Sequence, residues 1–254
     1  MSIPPEELLG RHFVAIATCD YDHAGLRQLP GVADEVATLR NWLCDEGLGD
    51  RHFAEQHPHL ADNPTKGEIT DALQDPEPFR RWSRTDAAVL YVSGHGVEAH
   101  ESHFVVLRRS DPHRLSATAI KTADIIAWLA DTEIEHLLVV MDMCHAGRAA
   151  PDAIRIAGRF PPGWIVLASA ADEPARTGAL TRAVTEFLNV LNSPEGKKYD
   201  HGPYINVGEF LGYIQERLGP SVRRDQRGVG QGHSGPHRQR ACPQRGTEDS
   251  GGTG

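Results

Sequence analysis

The sequence is short of cysteine. Cys19, Cys44, Cys144 and Cys242 are scattered, and no two of them stand in CxxC spacing. That argues against a disulfide framework and against a structural zinc site, since both draw on paired thiols. Long apolar runs are missing too. Nothing approaches the roughly 20 residues needed to span a bilayer. The start, Met1-Ser-Ile-Pro-Pro-Glu-Glu7, has neither the basic nor the apolar region of a signal peptide. A cytoplasmic protein that does not engage membranes is therefore expected. Positive charge is in deficit: 26 basic residues face 35 acidic ones, for a formal charge of −9. General nucleic-acid affinity is disfavoured, because phosphate binding needs a basic face. Fourteen histidines are present, and their closest spacings are His57-Pro-His59, His100 with His103, and His233 to Cys242. None makes a closed four-ligand set, so no transition-metal site is expected. No internal repeat is visible.

What is present is enough apolar residue, 39% of 254, to bury one sizeable core. Apolar runs suited to covered strands occur at 12–18, 86–92, 103–107, 136–141 and 164–168, with a weaker one at 51–56. Between them, helical spacing of apolar positions marks 32–43, 119–129, 180–191 and 207–218. Thr65-Lys-Gly-Glu68 resembles a capping box and predicts a helix after it. Strands alternating with helices imply a mostly parallel sheet of about six strands, covered on both faces as a three-layer α/β/α sandwich. The composition changes after Pro220 to a mixture of Gly, Arg, His, Gln and Pro with almost no large apolar residues. Residues 221–254 are therefore expected to be a disordered tail on a domain of residues 1–220. The tail carries +3, which leaves the domain at −12 and favours a cationic substrate by long-range steering.

Two apolar runs end in reactive residues. Leu137-Leu-Val-Val-Met-Asp-Met-Cys-His-Ala-Gly147 stops at Asp142, Cys144 and His145, and Ala87-Ala-Val-Leu-Tyr-Val-Ser-Gly-His-Gly96 ends in a histidine between glycines. Ligands bind outside the carboxyl ends of parallel strands, so Cys144 and His95 are candidates for a nucleophile and its base. A lone cysteine ending an apolar strand is more often inert core. The matched ending of the second run tips the balance.

These residues carry a resemblance. Ser93-Gly-His-Gly96 with Asp142-Met-Cys-His-Ala-Gly147 resembles the catalytic pair of caspase-like cysteine peptidases. The D-x-C-H-x-G form is similar to metacaspases and bacterial caspase homologues. His95 stands 49 residues before Cys144, against about 50 in caspases. Further matches follow in family order. Gly31-Val-Ala-Asp-Glu-Val36 resembles G-C-x-N-D-A, and His103-Phe-Val-Val-Leu-Arg-Arg-Ser-Asp111 resembles Y-L-L-P-x-D. Ala168-Ser-Ala-Ala-Asp-Glu173 resembles A-S-x-x-D-Q, and Gly178-Ala-Leu-Thr181 resembles G-x-F-T. The resemblance implies a His95/Cys144 dyad with the backbone N–H groups of Gly96 and Cys144 as the oxyanion hole. It also implies cleavage after Arg or Lys, with Asp142 in the substrate pocket and Ser93 lining it. A gapless comparison puts Glu35 on the family Asp and Asp34 on the family Asn, so either could supply the second acid. Both could equally be helix N-terminal acids complementing the dipole.

The expected activity is that of a cysteine endopeptidase acting through a thioester on Cys144. The expected partners are peptide or protein substrates, with no nucleic acid, no membrane and no obligatory cofactor, and the chain is expected to be monomeric. The resemblance also raises calcium dependence, since several metacaspases need the ion on acidic side chains that no spacing here singles out. Two alternatives stay open: a catalytically silent caspase-like module that binds a partner, and a relative with other selectivity, as among separases, clostripains and gingipains. Self-processing is expected between the catalytic loop and Trp164, where Arg148, Arg155 and Arg159 lie. Arg155 is favoured because Arg148 is close to Cys144 and Arg159 stands one residue ahead of Phe160-Pro161-Pro162.

Overall fold

The computed structural model describes residues 10–74, 82–143, 163–169, 179–191, 207–218 and 222–225. The first apolar run forms β1 (Gly10–Ala17), buried without interruption from Phe13 onward. Helix α1 (Gly31–Leu43) follows, burying Val32, Val36 and Leu39. Two short 3₁₀ turns flank β2 (Ala54–Glu55), and α2 (Lys66–Gln74) comes next. The capping box forms as its sequence predicts. Glu68 Oε2 accepts from the Thr65 N–H at 2.7 Å, and the Glu68 N–H donates to Thr65 Oγ1 at 3.2 Å. Beyond it lie β3 (Asp86–Ala99), β4 (Ser102–Val106), the single turn α3 (Leu115–Thr118), β5 (Ile120–Lys121) and α4 (Thr122–Ala130). Then come β6 (His136–Met143), β7 (Gly163–Ser169), α5 (Ala179–Leu191), α6 (Val207–Leu218) and β8 (Val222–Asp225).

The main sheet runs β2-β1-β3-β6-β7-β8. All its pairs are parallel except β7 with β8. Alternating side chains send Val14, Ile16, Leu90, Val92, Val139 and Met141 to one face, where α2 and α4 supply Ile69, Leu73, Ile125, Ile126 and Leu129. Phe13, Ala15, Val89, Tyr91 and Val140 point to the other, against Val32, Val36 and Leu39 of α1 and Leu180, Phe187 and Ile214 of α5 and α6. This is the expected three-layer sandwich. Each fully buried large side chain in these layers is worth about 1.5–3 kcal/mol over leaving it exposed. Among the described residues no helix is long and apolar enough to cross a membrane.

Register is what places the site. Ala17 pairs with Ser93, and Ser93 in turn with Asp142, so the carboxyl ends of β1, β3 and β6 finish level. The apolar run predicts a strand that stops near Val92, but β3 continues to Ala99. At Gly94, with φ of 144°, it leaves the parallel ladder, and from His95 it pairs antiparallel with β4, His95 opposite Val106. The hairpin closes through His100 and Glu101, both left-handed at φ 51° and 59°, as a two-residue turn of the primed type requires. The polar stretch beyond Ser93 hid this continuation.

Three expectations are corrected. The strand at 51–56 is only the two residues of β2, because a 3₁₀ turn occupies Glu46–Arg51. The helix expected over 119–129 begins at Thr122, since Ile120 and Lys121 pair with β4. The boundary at 220 is also too early: Val222–Asp225 is an edge strand in register with β7, from Ser169↔Val222 to Val166↔Asp225. An edge strand is held by main-chain hydrogen bonds, which Val-Arg-Arg-Asp makes as well as an apolar run would, so composition gave no sign of it. The remainder of the tail lies outside the described residues.

Candidate active site

Asp142, next to last in β6, is 2% exposed. Its Oδ2 accepts from both the N–H and the hydroxyl of Thr181, at 3.0 and 2.9 Å, at the start of α5. Its Oδ1 is buried and has no hydrogen-bond partner among the described residues. Glu35 reaches the same place from α1, one turn in from its start. The Tyr91 hydroxyl lies 3.0 Å from Glu35 Oε2 and 2.7 Å from Thr181 Oγ1. Ser93 Oγ lies 3.5 Å from Glu35 Oε2 and 3.2 Å from the Asp142 carbonyl oxygen. Two carboxyl groups thus meet at the carboxyl ends of the central strands, bridged by hydroxyls.

The electrostatics are unfavourable for ionisation. Burial pushes the Glu35 carboxyl up to about 7, and the charge of Asp142 adds to this against the opposing hydrogen bonds of Tyr91 and Ser93 and the positive Arg182. Burial raises Asp142 as well, opposed by its two bonds from Thr181 and by Arg182. Hydrogen counting agrees. Three short contacts run from Asp142 through Thr181 and Tyr91 to Glu35, but Thr181 and Tyr91 bring only two hydroxyl hydrogens. The chain of contacts is complete only when one of the two carboxyl groups carries a proton.

His95 sits beside this cluster, two residues beyond Ser93. Its Nε2 is 2.7 Å from the carbonyl oxygen of Arg27. A carbonyl only accepts, so in the neutral imidazole Nε2 carries the hydrogen and Nδ1 keeps its lone pair. The main-chain N–H of His95 donates to the Tyr21 hydroxyl at 2.8 Å, and that hydroxyl donates to the Thr18 carbonyl at 2.9 Å. Glycine is needed at position 94 for this approach. A Cβ there would lie 2.9 Å from Tyr21 Oη and 3.1 Å from Thr18 O, on a backbone that other residues rarely adopt. Cys144 lies outside the described residues. It follows Met143, the register partner of Gly94, by one peptide bond.

The model of the caspase domain family matches residues 11–225 of the sequence. The chain belongs to that family. It is accordingly a cysteine-type peptidase. Among solved structures it is similar to the Drosophila initiator caspase Dronc, with a TM-score of 0.54 and 10% identity, over 87% of this chain and 80% of that one. At that identity the likeness speaks for the fold alone. No curated protein sequence matches.

Of the residues singled out from sequence, Asp142, Ser93 and Glu35 come together. Asp34 does not join them: it is exposed on α1, where its carbonyl accepts from Thr38 Oγ1 at 2.8 Å. Helical geometry decides between the two, because adjacent positions on a helix point about 100° apart. Gly96 is buried in the hairpin extension, next to His95. Sequence reasoning missed Tyr21, Tyr91, Thr181 and the Arg27 carbonyl. Thr181 stood in a quoted motif with no role attached, while a backbone carbonyl leaves no mark in a sequence. Arg148, Arg155 and Arg159 lie outside the described residues. Among the described residues, no group of three His, Cys, Asp or Glu side chains is placed to hold a metal ion.

Proposed function

We propose that this caspase-family peptidase is of the metacaspase kind: it cleaves after Arg or Lys, with His95 and Cys144 as the dyad and Asp142 and Glu35 receiving the substrate cation. The observation that carries the reading is the buried Oδ1 of Asp142, without a hydrogen-bond partner among the described residues, in a cluster with a second carboxyl group. A buried carboxylate oxygen without a donor is costly, and a guanidinium or ammonium group supplies the missing hydrogens together with the compensating charge. A substrate carboxylate would meet repulsion, which argues against the aspartate preference of Asp-cleaving caspases.

In the reaction, Nδ1 of His95 takes the Cys144 proton while Nε2–H stays on the Arg27 carbonyl. The thiolate attacks the scissile carbonyl carbon, and the backbone N–H groups of Gly96 and Cys144 hold the resulting oxyanion. The C–N bond breaks as the imidazolium returns its proton to the leaving amine. Water, deprotonated by His95, then hydrolyses the thioester and releases the acid. The deciding experiment is hydrolysis of a fluorogenic panel bearing Arg, Lys, Asp or Ala before the scissile bond. Arg and Lys substrates should be cleaved and Asp should not. Preference for Asp or Ala would overturn the specificity, and no hydrolysis of any substrate would favour a silent binding module.

A further inference from the structure

We infer that Tyr21 is a positioning residue for His95, held in turn by Gln28; this rests on His95 being the base proposed above. Tyr21 is 4% exposed, although it sits in a loop between two aspartates that gives no apolar pattern to bury it. Its phenol touches His95 twice. The hydroxyl accepts the His95 main-chain N–H, and the ring lies 4.7 Å from the imidazole, tilted by 46°. The hydroxyl's own hydrogen goes to the Thr18 carbonyl, which ties His95 to the end of β1. That N–H comes just after the last parallel pair of β3 with β6, Gly94 with Met143, where the chain turns at positive φ.

The loop carrying Tyr21 is itself closed on Gln28. The Tyr21 N–H donates to Gln28 Oε1 and Gln28 Nε2 donates to the Tyr21 carbonyl, both at 2.8 Å. The Leu29 N–H bonds the Cys19 carbonyl at 2.8 Å, and the Asp22 N–H bonds the Arg108 carbonyl at 2.9 Å. Arg27, whose carbonyl takes His95 Nε2, directly precedes Gln28. One loop therefore fixes both the backbone and the far nitrogen of the imidazole, and the Gln28 amide sets the spacing between the two contacts. Displacing a catalytic group by about 1 Å costs on the order of 100-fold in rate, whereas binding of the substrate cation is made elsewhere.

The test is steady-state kinetics of Tyr21→Phe and Gln28→Ala on an Arg substrate, with the parent and His95→Ala alongside, together with thermal melts. Tyr21→Phe keeps the ring and removes only the hydroxyl. A fall in kcat of about 10- to 100-fold, with KM within twofold of the parent, is expected. Gln28→Ala should lower kcat in the same sense, and because Gln28 is exposed the core is untouched. If Tyr21→Phe does not fold, Gln28→Ala alone decides. Parent-like kcat in the folded variants, or a change confined to KM, overturns the inference. Activity surviving in His95→Ala would instead overturn the assignment of the base, so the two failures are distinguishable.

Discussion

Asp142→Asn separates function from stability because the two should move in opposite directions. The substitution keeps the shape of the side chain. Its amide oxygen can still accept both Thr181 bonds, and its NH₂ takes the place of Oδ1, which has no partner among the described residues. Toward an incoming guanidinium, an acceptor with negative charge becomes a donor without it. Removing one partner of a buried ion pair costs about 3–5 kcal/mol. The pocket must open to admit substrate, so the lower end applies, and at about 1.4 kcal/mol per decade this is a loss on the order of 100-fold in kcat/KM. For folding the sign reverses. Burial raises the Asp142 carboxyl above its ordinary range, so the ionised form is disfavoured in the folded chain, and this cost sets in as pH rises past the unfolded value. Asparagine is neutral at every pH and escapes it. At pH 7 the variant should melt no lower than the parent, while losing about two decades on Arg substrates and little on an Ala substrate. Equal discrimination between Arg and Ala in parent and variant would refute the reasoning, as would a drop in melting temperature large enough to account for the lost activity.

Cys144→Ala and His95→Ala should each abolish hydrolysis with the melting temperature little changed; activity within tenfold of the parent in either would sink the dyad. With Glu35 titrating at about 7, its ionised fraction rises about tenfold from pH 6 to pH 8. Competitive inhibition by agmatine, a small guanidinium, should tighten by up to that factor in the parent and stay flat in Glu35→Gln, and a flat profile in both would remove Glu35 from the pocket. The same raised value means that stability from this group is present at low pH and is lost as pH rises from the ordinary carboxylate range through about 7. Truncation after Asp225 should leave the melting temperature nearly unchanged, whereas truncation after Pro220 also removes β8 and should lower it; identical melts would mean that the edge strand contributes nothing. Incubated active protein should yield a fragment ending at Arg155 that Cys144→Ala does not produce, and only intact chain or tail trimming by mass spectrometry would exclude processing there.

The central layers were legible because their signal is physical and local. The runs ending at Val92 and Met141 are continuous apolar stretches, as strands covered on both faces must be, and α1, α5 and α6 show the 3.6-residue spacing of a helix with one buried stripe. The carboxyl ends of β3 and β6 were legible as a site because polar and reactive residues follow each run abruptly. What escaped was everything held by the main chain. The extension of β3 beyond Gly94, the two-residue β2 and the edge strand β8 are defined by backbone pairing that almost any residue supplies. The choice of Glu35 over Asp34 needed the phase of α1 against the sheet. The burial of Tyr21 needed the closure of a loop by a glutamine seven residues away.

The acidic cluster also explains why its support is so extensive. Burial raises both carboxyl groups and the charge of Asp142 raises Glu35 further, so ionising the two together is disfavoured. Thr181 tilts this toward ionised Asp142 by giving one oxygen two donors, and the Tyr91 hydroxyl joins Thr181 to Glu35. One negative charge in the cluster is cheaper to bury than two. On the proposed reading, an arriving guanidinium would favour ionisation of Glu35, so its binding would be coupled to release of a proton. Thr181→Val should weaken that binding even though Thr181 contacts no substrate: it keeps the main-chain donor but removes the hydroxyl that links the two acids. The expected signature is a loss of the pH dependence of agmatine inhibition together with its strength; weaker inhibition with the pH profile intact would show that the hydroxyl only packs.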